Sequence, residues 1–479
     1  MSERVILLGL DFGSTTSSAL IASAKIARSN ATGHMQLDDV QVIYKSEPVF
    51  TPFTNQNIDT EKVAKLIANW LAESGVKVAA IFSGGSIITG LAAQADNATA
   101  LSKLIINMVG ESVIATADDP CLESWLAFMG SCGALSRFEA ETPIINFDIG
   151  GGTTNIALGV NGDVQATGCY FIGARHFQLK AGSYQLSAIS PYGAALLDDL
   201  NINKKTGETL NASEREKIIS FYINTLEALV AGNTDFLNLP IVQKHTQIVF
   251  NFNTKVKPKI TFSGGVGELL YKISAEETLP STTFYGDFGI DLALAISRSA
   301  LLSADLKTTV PEHKGRATVL GLTLHSTEIS GNTIYLPNPD CLPLRDLPIV
   351  AKLAADSPTQ QWHSAFALAA KRQNGACIQI SACDNSLEQV RALATQIKHA
   401  IGLNYSSAGL QANIHEPCQP IVILVEANIG KALGNYVSDW GQTQYNLIVI
   451  DEVPPRDAHF VHIGCTHQGM IPVSFYGLN

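Results

Sequence analysis

The sequence predicts an α/β protein of three domains, the first two related to each other. Three observations carry that expectation: a length of 479 residues, alternating strand-like and helix-like segments through roughly the first 300 residues, and a strand, glycine turn, strand unit that occurs twice. Single cores stop growing at about 250–300 residues, so a chain of this length is expected to divide. The expected segments are 1–143, 144–310 and 311–479.

In the first unit, residues 5–10 form a short apolar run, followed by a turn rich in Gly and Thr and a second strand-like run at 18–24. A polar stretch near 29–39 comes next. Asp59 is placed to cap a helix in which Val63, Leu66, Ile67, Trp70 and Leu71 recur at helical spacing, giving one apolar face. Residues 76–82 read as a buried strand ending in Gly84 and Gly85.

The second unit begins at Ile144, where 144–148 is strand-like, meets another Gly and Thr-rich turn, and is followed by a strand at 155–160. Ser213 and Glu216 have capping-box spacing, and Ile218, Ile219, Tyr222, Leu226 and Leu229 make the apolar face of a long helix that stops near Gly232. Residues 260–262 read as one more short strand before glycines. The last third, beginning near Pro311, reads as a separate α/β domain: Asn385 with Glu388 caps a helix, and 421–425 and 447–450 are buried strands.

Composition narrows the function. Hydrophobic residues make up 46% and charged residues 16%, the balance of a well-packed globular chain. A net charge of −11 argues against nucleic acid as a partner, since phosphate-tracking surfaces need clustered Lys and Arg. No run approaches a membrane span, and the N-terminus lacks the apolar core of a signal peptide. The eight cysteines are scattered without a C-x-x-C pair, which fits a reducing cytosol, so a cytoplasmic location is expected.

Three segments carry chemistry: GLDFGSTT at 9–16, FDIGGGTT at 147–154 and TFSGGVGE at 261–268. One D-x-G-x-T turn alone is often only a tight hairpin. Two copies, each after an apolar strand, with a later strand-ending S-G-G-x-G, point to phosphate binding. A triphosphate tail needs backbone N–H groups at close range, which glycines permit, and hydroxyls to complete the cradle. Gly13, Ser14, Thr15 and Thr16 are candidates on one side, and Gly150, Gly151, Gly152, Thr153 and Thr154 on the other. Asp11 and Asp148 sit at strand ends where two carboxylates can orient a hydrated magnesium ion without stripping its waters. Only a fold that brings two domains face to face can join them. No Walker-type G-x-x-x-x-G-K-[ST] or strand-following G-x-G-x-x-G is present, so P-loop and dinucleotide sites drop out.

The order and spacing of these segments resemble the phosphate 1, phosphate 2 and adenosine motifs of the acetate and sugar kinase, Hsp70 and actin superfamily. Within it the chain resembles the ethanolamine ammonia-lyase reactivating factors, the ethanolamine utilization protein EutA family. That likeness rests on residues 87–90, 122–124, 263–268 and 286–289, continues through 316–319, 431–434 and 450–452, and covers nearly the whole chain. It implies duplicated ribonuclease-H-like domains of the actin/Hsp70 type with an added C-terminal α/β domain, and a cleft ATPase using ATP and Mg2+. It further implies that Asp11 and Asp148 hold the hydrated magnesium and that Gly264, Gly265 and Gly267 hold the nucleoside. Glu123, or alternatively Asp119, would orient the attacking water; read from the residues alone, Glu123 is equally a solvated helix residue.

The activity implied is ATP-dependent exchange of damaged cobalamin for intact adenosylcobalamin in ethanolamine ammonia-lyase, with that lyase as partner. Homo-oligomerisation and association with a bacterial microcompartment are left open. Two alternatives on the same fold are a small-molecule kinase and an actin-like nucleotide-dependent scaffold. The sequence departs from the family at Leu91-Ala92-Ala93-Gln94, where relatives carry acidic and basic residues, and at Phe128-Met129-Gly130, which replaces a more glycine-rich turn. His459, His462, Cys465 and His467 are close enough in sequence to suggest zinc, but residues three apart on a strand point to opposite faces.

Overall fold

The computed structural model describes residues 4–13, 16–29, 33–54, 57–89, 97–110, 113–117, 119–372, 374–405, 420–442 and 446–478. Ser14, Thr15 and the departure at 91–94 lie outside the described residues.

Two sheets share one strand order. In the first, Arg4–Phe12, Thr16–Arg28 and Met35–Lys45 form an antiparallel meander, and Ile81–Ile88 and then Val113–Ala117 lie parallel on the other side of Arg4–Phe12. In the second, Ile144–Ile149, Thr154–Val160 and Asp163–Tyr170 form the meander, Lys259–Ser263 lies parallel beside Ile144–Ile149, and Thr246–Ile248 extends the far edge. A three-strand meander with a parallel crossover strand on its first member is the ribonuclease-H-like order. Two such halves facing a common cleft make the actin/Hsp70-type architecture.

Local chemistry accounts for the elements. Asp59 Oδ1 accepts from the Lys62 amide at 3.1 Å and starts helix Thr60–Ser74, whose Val63, Ile67 and Trp70 are buried against the first sheet. The long helix Ala212–Ala231 ends at Gly232, which adopts φ 62°. Its capping box is made by Asn211 and Glu214, at 2.9 and 2.8 Å, and not by the expected Ser213 and Glu216. Asn211 begins an equivalent x-x-Glu spacing two residues earlier, so the earlier cap wins and Ser213 falls inside the first turn. In the last third, the Gln389 amide donates to Ser386 Oγ at 3.4 Å, one residue beyond the expected Asn385.

Two expectations about the first half change. The polar stretch continues into an edge strand from Met35, because an outer strand with one exposed face tolerates polar side chains. Gly84 and Gly85 lie inside strand Ile81–Ile88, not after it. A Cβ on Gly84 would stand 2.0 Å from the Leu8 carbonyl oxygen, and one on Gly85 would stand 2.4 Å from Leu322 Cδ1. Close approach of the neighbouring strand at Gly84 and of a packed helix at Gly85, and not a turn, requires these glycines.

Leu322 belongs to helix Ala317–His325, which the boundary near Pro311 assigned to the last domain. The helix packs on the first half: Cβ atoms built on Gly130 and Gly321 would approach the Ala317 and Leu126 carbonyl oxygens to 2.0 Å, so this helix and Pro120–Ser131 cross nearly backbone to backbone. The third domain proper is a seven-stranded sheet in the spatial order Thr327–Ile329, Pro472–Leu478, Ala458–Ile463, Leu344–Ala354, Ala376–Ser381, Ile421–Val425 and Leu447–Ile450. Its last four strands are parallel and enclose a core with helices Thr359–Ala369, Leu387–Tyr405 and Gly430–Val437. On strand Ala458–Ile463, His459 is exposed and His462 buried. No helix among the described residues is long and apolar enough to cross a membrane.

The crossing predicts a sharp contrast between two glycines. Gly321→Ala should lower stability in urea unfolding by about 1–3 kcal/mol through overpacking. Gly402→Ala, where an added Cβ meets nothing within 4 Å, should leave it unchanged or raise it by up to about 1 kcal/mol through helix propensity.

Candidate functional site

The two meanders bring equivalent residues to the same cleft. Asp11 pairs across its hairpin with Ser18, and Asp148 pairs across its own with Asn155. In each turn the glycine two residues after the aspartate donates its N–H to a threonine carbonyl at 3.0 Å, Gly13 to Thr16 and Gly150 to Thr153. Ala174 and Arg175 donate backbone N–H groups to the Gly150 and Gly151 carbonyls at 3.1 and 2.6 Å, fixing the second turn from behind. Between the turns lies a cavity of about 470 Å³, within the range of small-molecule sites.

Asp11, Glu123 and Asp148 line this cavity together. Asp148 is 7% and Glu123 8% exposed; Asp11 keeps some surface toward the cleft while protein encloses its other sides. Burial, with the neighbouring Asp148 charge adding to it, pushes the Asp11 carboxyl up to about 7. Burial pushes Asp148 up to about 6, partly offset by the hydroxyls of Ser263 and Thr318. Glu123 is raised well above its ordinary value by burial and then by both aspartates, although Thr89 and Asn155 hydrogen-bond to it. Three acids on separate elements thus share one desolvated floor.

A relay aims Asp148. Thr261 Oγ1 donates to Asn146 Oδ1 at 3.1 Å, Asn146 Nδ2 donates to Ser263 Oγ at 2.8 Å, and Ser263 Oγ donates to Asp148 Oδ1 at 2.5 Å. Thr318 Oγ1 reaches Asp148 Oδ2 from the crossing helix at 3.5 Å. Asp11 Oδ1 is buried with no hydrogen-bond partner among the described residues.

That orphaned oxygen and the surplus of negative charge fit a cation. No three His, Cys, Asp or Glu side chains among the described residues are placed to ligate an ion directly, and two carboxylates at strand ends suit a cation held through its waters. Toward the other end, Gly265, Glu268, Leu269, Lys272 and Tyr285 line the cavity. An added Cβ at Gly265 meets nothing within 4 Å, so neither packing nor a positive φ calls for glycine there, whereas Gly264 at φ 76° presses on the Ile149 backbone.

Of the residues singled out in the sequence, Gly13, Thr16, Gly150, Gly151, Gly152, Thr153, Gly264 and Gly265 also line the cavity. Two do not. Thr154 is fully buried and donates its hydroxyl to the Ile172 carbonyl at 2.8 Å, and Gly267 packs against Phe262 behind the wall. Glu123 is not a solvated helix residue. Asp119 is the N-cap of its helix, accepting from Leu122 at 3.1 Å and from Gly477 at 2.6 Å, and stands off the cavity. Sequence reasoning missed Thr89, Asn155, Lys272, Arg316 and Thr318 as lining residues. Arg316, paired with Glu47 at 3.8 Å, and Thr318 lay in a run quoted only for its family likeness. Asn155 had one legible signal, its place opposite Asp148 in the hairpin.

The family model for the ethanolamine utilisation protein EutA matches residues 3–478. The chain belongs to that family. It is 27% identical to the ethanolamine ammonia-lyase reactivase EutA of Salmonella typhimurium, covering 100% of this chain and 99% of that protein, and 26% identical to the Escherichia coli protein of the same description with the same coverage. Among solved structures it is similar to an exopolyphosphatase-like protein (TM-score 0.41, 12% identity, 67% of this chain and 97% of the other). It is also similar to the ethanolamine utilization protein EutJ of Carboxydothermus hydrogenoformans (0.30, 14%, 67% and 89%).

The raised carboxyls fix a pH dependence. The folded state holds more protons than the unfolded chain between about 4 and about 7, so stability from these groups is greatest at low pH and is lost as pH rises through that window. In metal-free, nucleotide-free buffer, Asp11→Asn should therefore melt above the wild type at about pH 8, with the difference vanishing by about pH 4 in calorimetry.

Proposed function

We propose that this chain is an ATP-dependent reactivating factor for ethanolamine ammonia-lyase, promoting exchange of damaged cobalamin for intact adenosylcobalamin in that enzyme. The observation that carries the nucleotide part is the meeting of Asp11, Glu123 and Asp148 between two matching glycine turns. The partner is supported by the full-length likeness to proteins described as ethanolamine ammonia-lyase reactivases.

Bound Mg-ATP supplies the γ-phosphoryl group and the cation that neutralises charge as that group passes to water, leaving ADP and phosphate. The chain positions and stabilises. Asp11 and Asp148 accept hydrogen bonds from the hydrated cation, and Ser263 and Thr318 keep the Asp148 carboxylate aimed. The backbone of Gly151, Gly152 and Thr153 lines the phosphate end, while Lys272 and Arg316 supply the positive charge on the cavity wall. Glu123, held by Thr89 and Asn155, orients the attacking water through its carboxylate.

Reactivation then follows from the hinge. Helix Pro120–Ser131 carries Glu123 and helix Ala317–His325 carries Thr318, and the two cross at Gly130 and Gly321. A change at the phosphate end shifts the crossing and with it the angle between the halves. A partner is remodelled only to the extent that it binds the two nucleotide states with different affinity.

Two experiments test this reading. Asp148→Ala should abolish magnesium-dependent ATP binding, and Gly265→Val should weaken it at least about tenfold, one well-placed contact's worth, without lowering stability; unchanged affinity in both would remove the site. Inactivated ethanolamine ammonia-lyase, incubated with this protein, ATP, magnesium and free adenosylcobalamin, should regain activity. Glu123→Gln should retain ATP binding while hydrolysis and recovery fall by about 10²-fold or more.

A further inference from the structure

The third domain has a crevice of its own where ligands of parallel α/β sheets bind, outside the carboxyl ends of the strands. The loops that follow Ala376–Ser381, Ile421–Val425 and Leu447–Ile450 form one wall with Asp384, Glu426 and Glu452, and the hairpin of the first half brings Arg28 and His34 to the other. Glu452 is only 3% exposed. Its Oε1 accepts from Arg28 at 3.0 Å and from Asn428, while its Oε2 is buried without a hydrogen-bond partner among the described residues and the side chain lines the crevice.

Just behind it Asp451 is fully buried; one oxygen accepts from Thr333 and from the Gly430 amide at 3.1 Å, and Oδ1 likewise has no partner. Two neighbouring buried acids therefore have one half-exposed guanidinium between them and the solvent, paired with Glu452 alone, and two more carboxylates stand at the rim. Burying unpaired charge is costly, and a positively charged occupant relieves it. These carboxylates are not placed to ligate a metal directly. They are spread around an open crevice, which suits a group that donates several separate hydrogen bonds, as an –NH3+ does at about 2.7–2.9 Å per contact.

We infer that this crevice binds a small primary ammonium ion, with Glu452 Oε2 as its buried acceptor and Glu426 and Asp384 completing the negative wall. The site uses none of the residues that line the nucleotide cleft, so either assignment can fail while the other stands. Because the crevice lies between the first half and the third domain, its occupant bridges the two.

The test is calorimetric titration of the full chain, without nucleotide, using ethanolamine hydrochloride and ammonium chloride as probes at constant ionic strength. Saturable binding of either is expected, and comparing the two separates a site for the bare ion from one for an amine with a carbon chain. Ethylene glycol, which lacks the charge, and choline, which lacks N–H donors, should not bind. Glu452→Gln should weaken binding at least about tenfold, the loss of a charge-assisted hydrogen bond. Should that variant not fold, Asp384→Asn combined with Glu426→Gln, both at exposed positions, should weaken it in the same direction. Hydrogen exchange of the wild type should show probe-induced protection at 382–386 and 426–430. No saturation, equal binding of choline, or affinity unchanged in the folded variants overturns the inference.

Discussion

Three carboxylates held together out of bulk water set the terms for the two actin-like halves of this structure. Asp11, Glu123 and Asp148 would separate or protonate if free to do so, because burial and mutual repulsion both disfavour their charged forms. They stay together because each is anchored by something else. Asp11 is locked in a strand paired on both sides, Asp148 is held by the relay through Ser263 and Asn146, and Glu123 rides on a helix capped by Asp119. A cation placed among them would turn repulsion into attraction.

The packing that enforces this arrangement relies on absent side chains. Gly9 and Gly85 bring the first sheet against helix Ala317–His325, and Gly130 and Gly321 let two helices cross at backbone distance. Phe128-Met129-Gly130 lies inside helix Pro120–Ser131 and not in a turn, and supplies one of the two glycines of this crossing; Phe128 is fully buried, its ring against the second meander at Gly159. Because the crossing helices also deliver Glu123 and Thr318 to the cleft, the spacing of the halves and the geometry of the site are mechanically one property. Close-packed interiors transmit small displacements without absorbing them, so a shift at one of these helices is felt at the other.

Much of the site was legible in the chain. The two aspartates, the matching glycine turns and the strand leading to Gly264 could be read because each motif is local: an apolar strand followed at once by residues that favour a turn. The helix boundaries at Asp59 and Gly232 were legible for the same reason, since a cap acts within three or four residues of itself. Where two local signals competed, as at Asn211 and Ser213, the choice was not visible. Arg316 and Thr318 were hidden more deeply, because nothing near them in sequence says that their helix leaves the last domain and packs on the first half.

The sequence by itself determined the repeated hairpins, their acidic ends and the alternating α/β character, all of which arise from side-chain periodicity and turn chemistry over a few residues. Tertiary structure alone decided that Glu123 is buried beside both aspartates, that Thr154 and Gly267 face away from the cleft, and that Gly85 serves packing against a helix. These depend on neighbours brought up by the fold, as Thr318 approaches Asp148 from 170 residues away, and no local pattern encodes which neighbour that will be.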